Sequence, residues 1–235
     1  MMVDKFGVPS VAFLNLMADV RAEALRESFP VDKSAYPSGV DWMEPILCVG
    51  NLASDLCIFG RDLGAKEVEV RQPLCGPSGD RVRQGIRQFL VAQGNSVSAD
   101  LDSVLDRVLL TNTVPYKPLL NKTFPAMART RFRSFIERLL VMHWKGSQVI
   151  TLGNEALDWF YPYAPKGQRC LFSRQADRYS ASLRVTLTAS DEKGRTHDRT
   201  LTLRPLPHPS PRNVRYRSQF PKMLQDRLIE SFGLK

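Results

Sequence analysis

Three short runs constrain this chain more than any other feature, because each is strand-length, largely apolar and ends on a polar group. Leu56-Cys57-Ile58-Phe59 breaks at Gly60 and delivers Arg61 and Asp62 before a second glycine, Gly64. Val108-Leu109-Leu110-Thr111 delivers Asn112, and Leu203-Arg204-Pro205-Leu206-Pro207 delivers His208. Runs of this kind suit strands of a parallel sheet buried on both faces. In such sheets, ligands bind beyond the carboxyl ends of the strands. A carboxylate, an amide and an imidazole are therefore expected to converge on one edge.

The stretches between these runs carry helical and turn signals. Residues 10–29 place Val11, Leu14, Met17, Ala18, Ala22 and Leu25 on an apolar stripe, with Ser10 as the N-cap. Residues 61–79 hold five glycines or prolines and are expected to form a long ordered loop, not a helix. A helix is expected over 80–93, with Val82, Ile86, Phe89 and Leu90 inward and Arg81, Arg83 and Arg87 outward. Another, over 126–144, puts Phe132, Phe135, Ile136, Leu139, Leu140 and His143 on one face, with His143 at the edge of the core. A strand at 148–152 turns at Gly153 into a short helix. Alternating runs at 169–172, 182–187 and 200–203, punctuated by Asp191-Glu192-Lys193-Gly194, predict a β-hairpin feeding the last core strand, with His197 exposed. Residues 219–232 close the chain as a helix with Pro221 in its first turn. Strands separated by helices imply right-handed crossovers and a parallel sheet covered on both faces. No repeat or linker divides the chain, so residues 1–235 are expected to form a single domain.

Charge and cysteine usage narrow the partners. A net charge of +9 points towards a polyanion such as nucleic acid. Cys48, Cys57, Cys75 and Cys170 are scattered, and Cys57 lies inside an apolar strand, so neither a disulfide framework nor a zinc site is expected. No apolar run approaches the roughly 18 residues that span a bilayer. A soluble, cytoplasmic protein without a membrane partner follows, nucleoid-associated if the source is bacterial.

Two familiar ligand motifs fail. Gly60-Arg61-Asp62-Leu63-Gly64 lacks the third glycine of a dinucleotide fingerprint, and no Lys-Ser/Thr pair follows for a phosphate loop. More distinctive is His208-Pro209-Ser210-Pro211-Arg212-Asn213, in which two prolines stiffen a loop with a histidine at one end and an arginine near the other.

These segments resemble a family. Gly60-Arg61-Asp62-Leu63-Gly64, followed by Arg71-Gln72-Pro73-Leu74-Cys75-Gly76-Pro77-Ser78-Gly79, is similar to the first motif of the uracil-DNA glycosylase superfamily. Leu109-Leu110-Thr111-Asn112-Thr113-Val114 resembles its uracil-reading strand, and the histidine loop its leucine-loop motif, similar to that of the single-strand-selective branch. The resemblance implies a three-layer α/β/α sandwich around a four-stranded parallel sheet, here with an added β-hairpin. It implies a protein that flips uracil out of DNA and hydrolyses its N-glycosidic bond, with no cofactor and no metal; a monomer is expected. Asp62 and His208 would be catalytic, Gly60, Arg61, Leu74 and Asn112 would line the base, and Ser78, Ser210, Arg212 and Asn213 would meet DNA. Leu74 stands where most relatives carry an aromatic residue to stack on uracil, so stacking is expected to weaken or to pass to Phe59 or Tyr116. Branches with an iron-sulfur cluster place paired cysteines near the N-terminus, and this chain has no such pair.

The chemistry of the residues agrees with that role. Glycosidic cleavage leaves positive charge on the sugar and negative charge on the departing base, so it needs an anion beside the one and donors at the other. Asp62 supplies the anion and orients water, and a neutral His208 donates to the uracil O2. Asn112 offers both a donor and an acceptor, matching the O4 and N3–H edge of uracil and mismatching cytosine. Two other readings stand beside this one: a non-catalytic binder of uracil-containing or abasic DNA, and a plain nucleotide-binding α/β protein. The last leaves the histidine loop unexplained.

Overall fold

The computed structural model describes residues 9–172 and 178–233. Four of its strands run parallel in the order β3-β2-β4-β6: β2 (Leu56–Gly60), β3 (Val108–Asn112), β4 (Gln148–Leu152) and β6 (Thr196–Leu206). Two antiparallel strands close the edges. β1 (Cys48–Gly50) pairs with β3, and β5 (Leu183–Ser190) forms a hairpin with β6. The four parallel strands and the hairpin match the sequence expectation. β1 was not expected, because three residues between loops are too few to show a period.

Alternate residues of the strands feed two cores. Cys57, Phe59, Leu109, Val149 and Leu203 face one side, where α1 (Val11–Arg26) and α4 (Ala126–Arg138) pack. Leu56, Ile58, Leu110, Ile150 and Leu206 face the other, under α3 (Pro77–Ala92) and α6 (Phe220–Ser231). Burial of both faces explains the near-continuous apolar runs in the sequence, and the result is a three-layer α/β/α sandwich.

Four helix and strand expectations need correction. The loop expected over 61–79 contains α2 (Ala65–Val70), and α3 starts at Pro77, which tolerates the first helical turn because its missing N–H has no partner there anyway. On α1, Ser10 caps as expected, accepting from the Phe13 amide at 3.2 Å, but the buried residues are Leu16, Val20 and Ala24. Val11, Leu14 and Leu25 lie on the exposed side, so the sequence stripe sat on the wrong face. Residues 169–172 belong to a 3-10 segment, Lys166–Phe172, and not to a strand. The helix expected to reach 144 ends at Arg138 and continues as a π-turn, Leu139–His143. His143 there is half-buried and packs edge-on against Phe13, as a core-edge residue.

Arg83, expected in solvent, is 2% exposed. Its guanidinium donates to the carbonyls of Pro73 and Leu74, both at 3.0 Å, and to Gln72 at 3.1 Å, and pairs with Asp102. A buried arginine with this many acceptors fixes the turn before α3. Arg81 also works inward, donating to the Pro209 and Arg217 carbonyls and lying over the Phe220 ring, so it ties α3 to the histidine loop. Among the described residues, no helix is long and apolar enough to cross a membrane.

Candidate active site

The register of the sheet brings the motif residues together. Gly60 lies beside Asn112 across β2 and β3, and Leu152 lies beside Leu206 across β4 and β6, so all four strands end at one edge. A cavity of about 180 Å³ opens there, lined by Gly60, Arg61, Asp62, Leu74, Ser78, Asn112 and His208 among others. That is room for a flat heterocycle.

Asp62 ends the loop after β2 with its side chain 2% exposed. Arg61 Nε stands 2.8 Å from Asp62 Oδ2, yet neither carboxylate oxygen nor that Nε has an aligned hydrogen bond. Burial pushes the Asp62 pKa up to about 6, opposed by Arg61, Arg129 and the nearby Phe124 amide. The loop is locked to its neighbour by Thr113, whose N–H and hydroxyl both donate to the Arg61 carbonyl, at 3.0 and 2.6 Å.

Asn112 is 1% exposed, and its carbonyl and amino groups both lack an aligned partner. A buried amide without an aligned hydrogen bond is costly and rare, and this one, beside Glu67, keeps donor and acceptor capacity that a ligand can use. The absence of a side chain on Gly60 makes its position possible, since a Cβ there would overlap Asn112 Oδ1.

His208 is half-buried, two residues beyond β6, against the bare backbone of Gly153. The Ser210 N–H donates to His208 Nδ1 at 3.1 Å, which assigns the proton to Nε2. Burial, and then Arg61, lowers the His208 pKa against a smaller effect of Glu155, so the ring is a neutral donor at pH 7. Asn213 donates from its side chain to the His208 carbonyl at 3.0 Å, and the Arg212 N–H donates to Ser210 Oγ at 3.2 Å. Ser210 and Asn213, expected on DNA, thus hold the histidine loop, while the Arg212 side chain is exposed beyond it.

Leu74 lines the pocket in a left-handed backbone conformation, φ 54°. Gly79 is required beneath it, because a Cβ at that position would collide with the Leu74 carbonyl. Phe59 and Tyr116 do not replace an aromatic at Leu74. Phe59 is fully buried against Trp159 and Phe160, and Tyr116 packs on Phe29 with its hydroxyl donating to the Met43 carbonyl at 2.9 Å.

Glu67 on α2 is a pocket residue that sequence reasoning missed. It is 8% exposed, lines the pocket, and accepts from the Gly64 and Leu74 amides, the latter at 2.6 Å. Burial pushes its pKa up to about 7, opposed by those amides, by the neighbouring Asn112 amide and by Arg83. The available signal was the spacing Gly64-x-x-Glu67, which suits a glutamate reaching back to the start of a helix.

The profile of the family described as "Uracil DNA glycosylase superfamily" matches residues 48–230. Comparison with curated proteins gave no match.

Proposed function

The chain belongs to the uracil DNA glycosylase superfamily, and from that premise we propose that it excises uracil from DNA by hydrolysing the N-glycosidic bond of a flipped nucleotide, leaving an abasic site. The observation that carries the proposal is the buried amide of Asn112, without an aligned hydrogen bond although Glu67 lies beside it, in the same pocket as Asp62 and His208. An amide so placed gains two hydrogen bonds from a base that offers one acceptor and one donor side by side, as uracil does at O4 and N3–H. Cytosine presents an amino group there and leaves the amide mismatched.

The remaining groups match the charges of the reaction. The C1′–N1 bond breaks with its electron pair leaving on the base. The oxygens of Asp62, which make no aligned hydrogen bond, face the sugar cation and accept a proton from the attacking water. His208 Nε2–H donates to O2 of the departing uracil anion, and a neutral donor leaves that product free to go. Ser78 sits in the first turn of α3, whose free N–H groups favour a phosphate. Arg212, Arg215 and Arg217 are exposed on the loop after His208 and supply cations for the backbone.

The test is single-turnover cleavage of a uracil-containing oligonucleotide followed by alkali. Strand scission is expected with wild-type protein, and His208→Ala is expected to slow it by roughly ten- to a thousandfold. Tight binding without scission would instead identify a non-catalytic damage binder.

A further inference from the structure

On the opposite side of the pocket from the histidine loop stands a turn for which the chemistry above has no use. β3 and β6 flank β2 on opposite sides, so the loops that follow them bracket the cavity. In the loop after β3, Pro118 and Asn121 both line the cavity, and between them Leu119 and Leu120 face solvent, 47% and 76% exposed. Leu120 and Asn121 are consecutive non-glycine residues with positive φ, 53° and 54°. Leucine rarely adopts that conformation, and backbone of this kind persists only where its surroundings impose it.

The surroundings do impose it. The Leu119 N–H donates to the Pro30 carbonyl at 3.2 Å, and the Lys122 N–H closes the turn on the Leu119 carbonyl at 3.0 Å. Beneath, the buried Lys117 ammonium binds Asp32 at 2.9 Å and the Pro118 carbonyl at 3.2 Å. A lone exposed leucine needs no explanation. Two adjacent leucines on a strained, anchored turn at the mouth of a polar cavity do.

We propose that Leu120, supported by Leu119, is an apolar wedge that enters the duplex beside the flipped nucleotide, across the pocket from Arg212. This rests on the reading that the pocket receives a base from DNA. Removing a base from a duplex breaks stacking and pairing, and an apolar side chain pushed between base steps offsets part of that cost. A rigid tip suits the task, because no loop has to be ordered on binding. Arg212 offers charge on one side, and Leu120 offers apolar bulk on the other. A single strand has little stacking to break, so the wedge acts mainly on duplexes.

The test pairs excision with a probe of unstacking. Leu120→Gly removes the side chain and suits the positive φ, and Leu120→Met keeps apolar bulk. Each is measured for single-turnover excision from matched duplex and single-stranded uracil substrates, and for the fluorescence of a 2-aminopurine next to the uracil. Val11→Ala serves as control; Val11 is 75% exposed on α1, whose Asn15 bonds Glu192 at the far end of β6. Leu120→Gly should slow duplex excision about tenfold and single-strand excision less than threefold, with the fluorescence rise lost, while Leu120→Met restores most of the rate. Equal losses on both substrates, or no loss on either, would overturn the wedge. A wild-type protein that raises the fluorescence but excises nothing, with Leu120→Gly abolishing that rise, would refute the glycosylase reading and leave the wedge standing.

Discussion

Two carboxylates share the pocket and are treated in opposite ways. Glu67 has its charge met by the Gly64 and Leu74 amides, with Asn112 and Arg83 nearby. Asp62 is also buried, but its oxygens have no aligned hydrogen bond, with the Arg61 guanidinium beside them and Arg129 and the Phe124 amide nearby. Burial raises the pKa of both, to about 7 and about 6. A satisfied carboxylate holds backbone in place, whereas an unsatisfied one keeps its acceptor capacity for water and a sugar cation. Glu67 thus holds the start of α2 and the Leu74 turn, and in the proposed reaction Asp62 is the group that reacts.

Breaking the contrast on the reactive side gives the largest effect. Asp62→Asn should lower the single-turnover excision rate by roughly ten- to a thousandfold, the range for losing one fixed electrostatic partner. A normal rate in a normally folded variant would remove Asp62 from the chemistry. On the structural side, Glu67→Ala strands the buried Leu74 amide and the part-buried Gly64 amide and should cost about 2–4 kcal/mol in chemical denaturation. A loss below about 0.5 kcal/mol, the size of an ordinary surface change, would show that water replaces the carboxylate.

Stability sharpens the comparison further. Asp62 binds its proton more tightly in the folded state than in the unfolded chain, so its stabilising contribution is full below about pH 4 and is lost as pH rises through about 6. Asp62→Asn should therefore be more stable than wild type at pH 8, by about 1–3 kcal/mol, while being less active. A less stable variant at that pH would mean that Arg61 outweighs desolvation. The smallest effect is in pH profiles. The wild-type rate should rise with pH through about 6 and level off above it, as Asp62 ionises, whereas unfolding free energy falls across the same interval. A second fall near pH 7, from Glu67, should survive in Asp62→Asn.

The sequence by itself determined the frame and which polar side chains meet at the sheet edge. Apolar runs at Leu56, Val108, Gln148 and Leu203 became the four parallel strands because burial on both faces leaves an unbroken apolar signature. Asp62, Asn112 and His208 met at one edge because parallel strands all deliver their ends to the same side.

What depended on contacts distant in sequence was hidden. The stripe on α1 was assigned to the wrong face because Leu14 and Leu25 are as apolar as the buried Leu16, and only the neighbouring helix α4 and the sheet choose between them. Arg83 looked like a surface residue until the Pro73 and Leu74 carbonyls curled over it. Glu67 and Leu120 lay in stretches rich in proline and glycine or near them, where local pattern carries little. Periodicity records which groups a strand or helix must bury, so it reveals the frame. The partners of a buried charge, and the strain of a turn, are set by segments that only folding brings together.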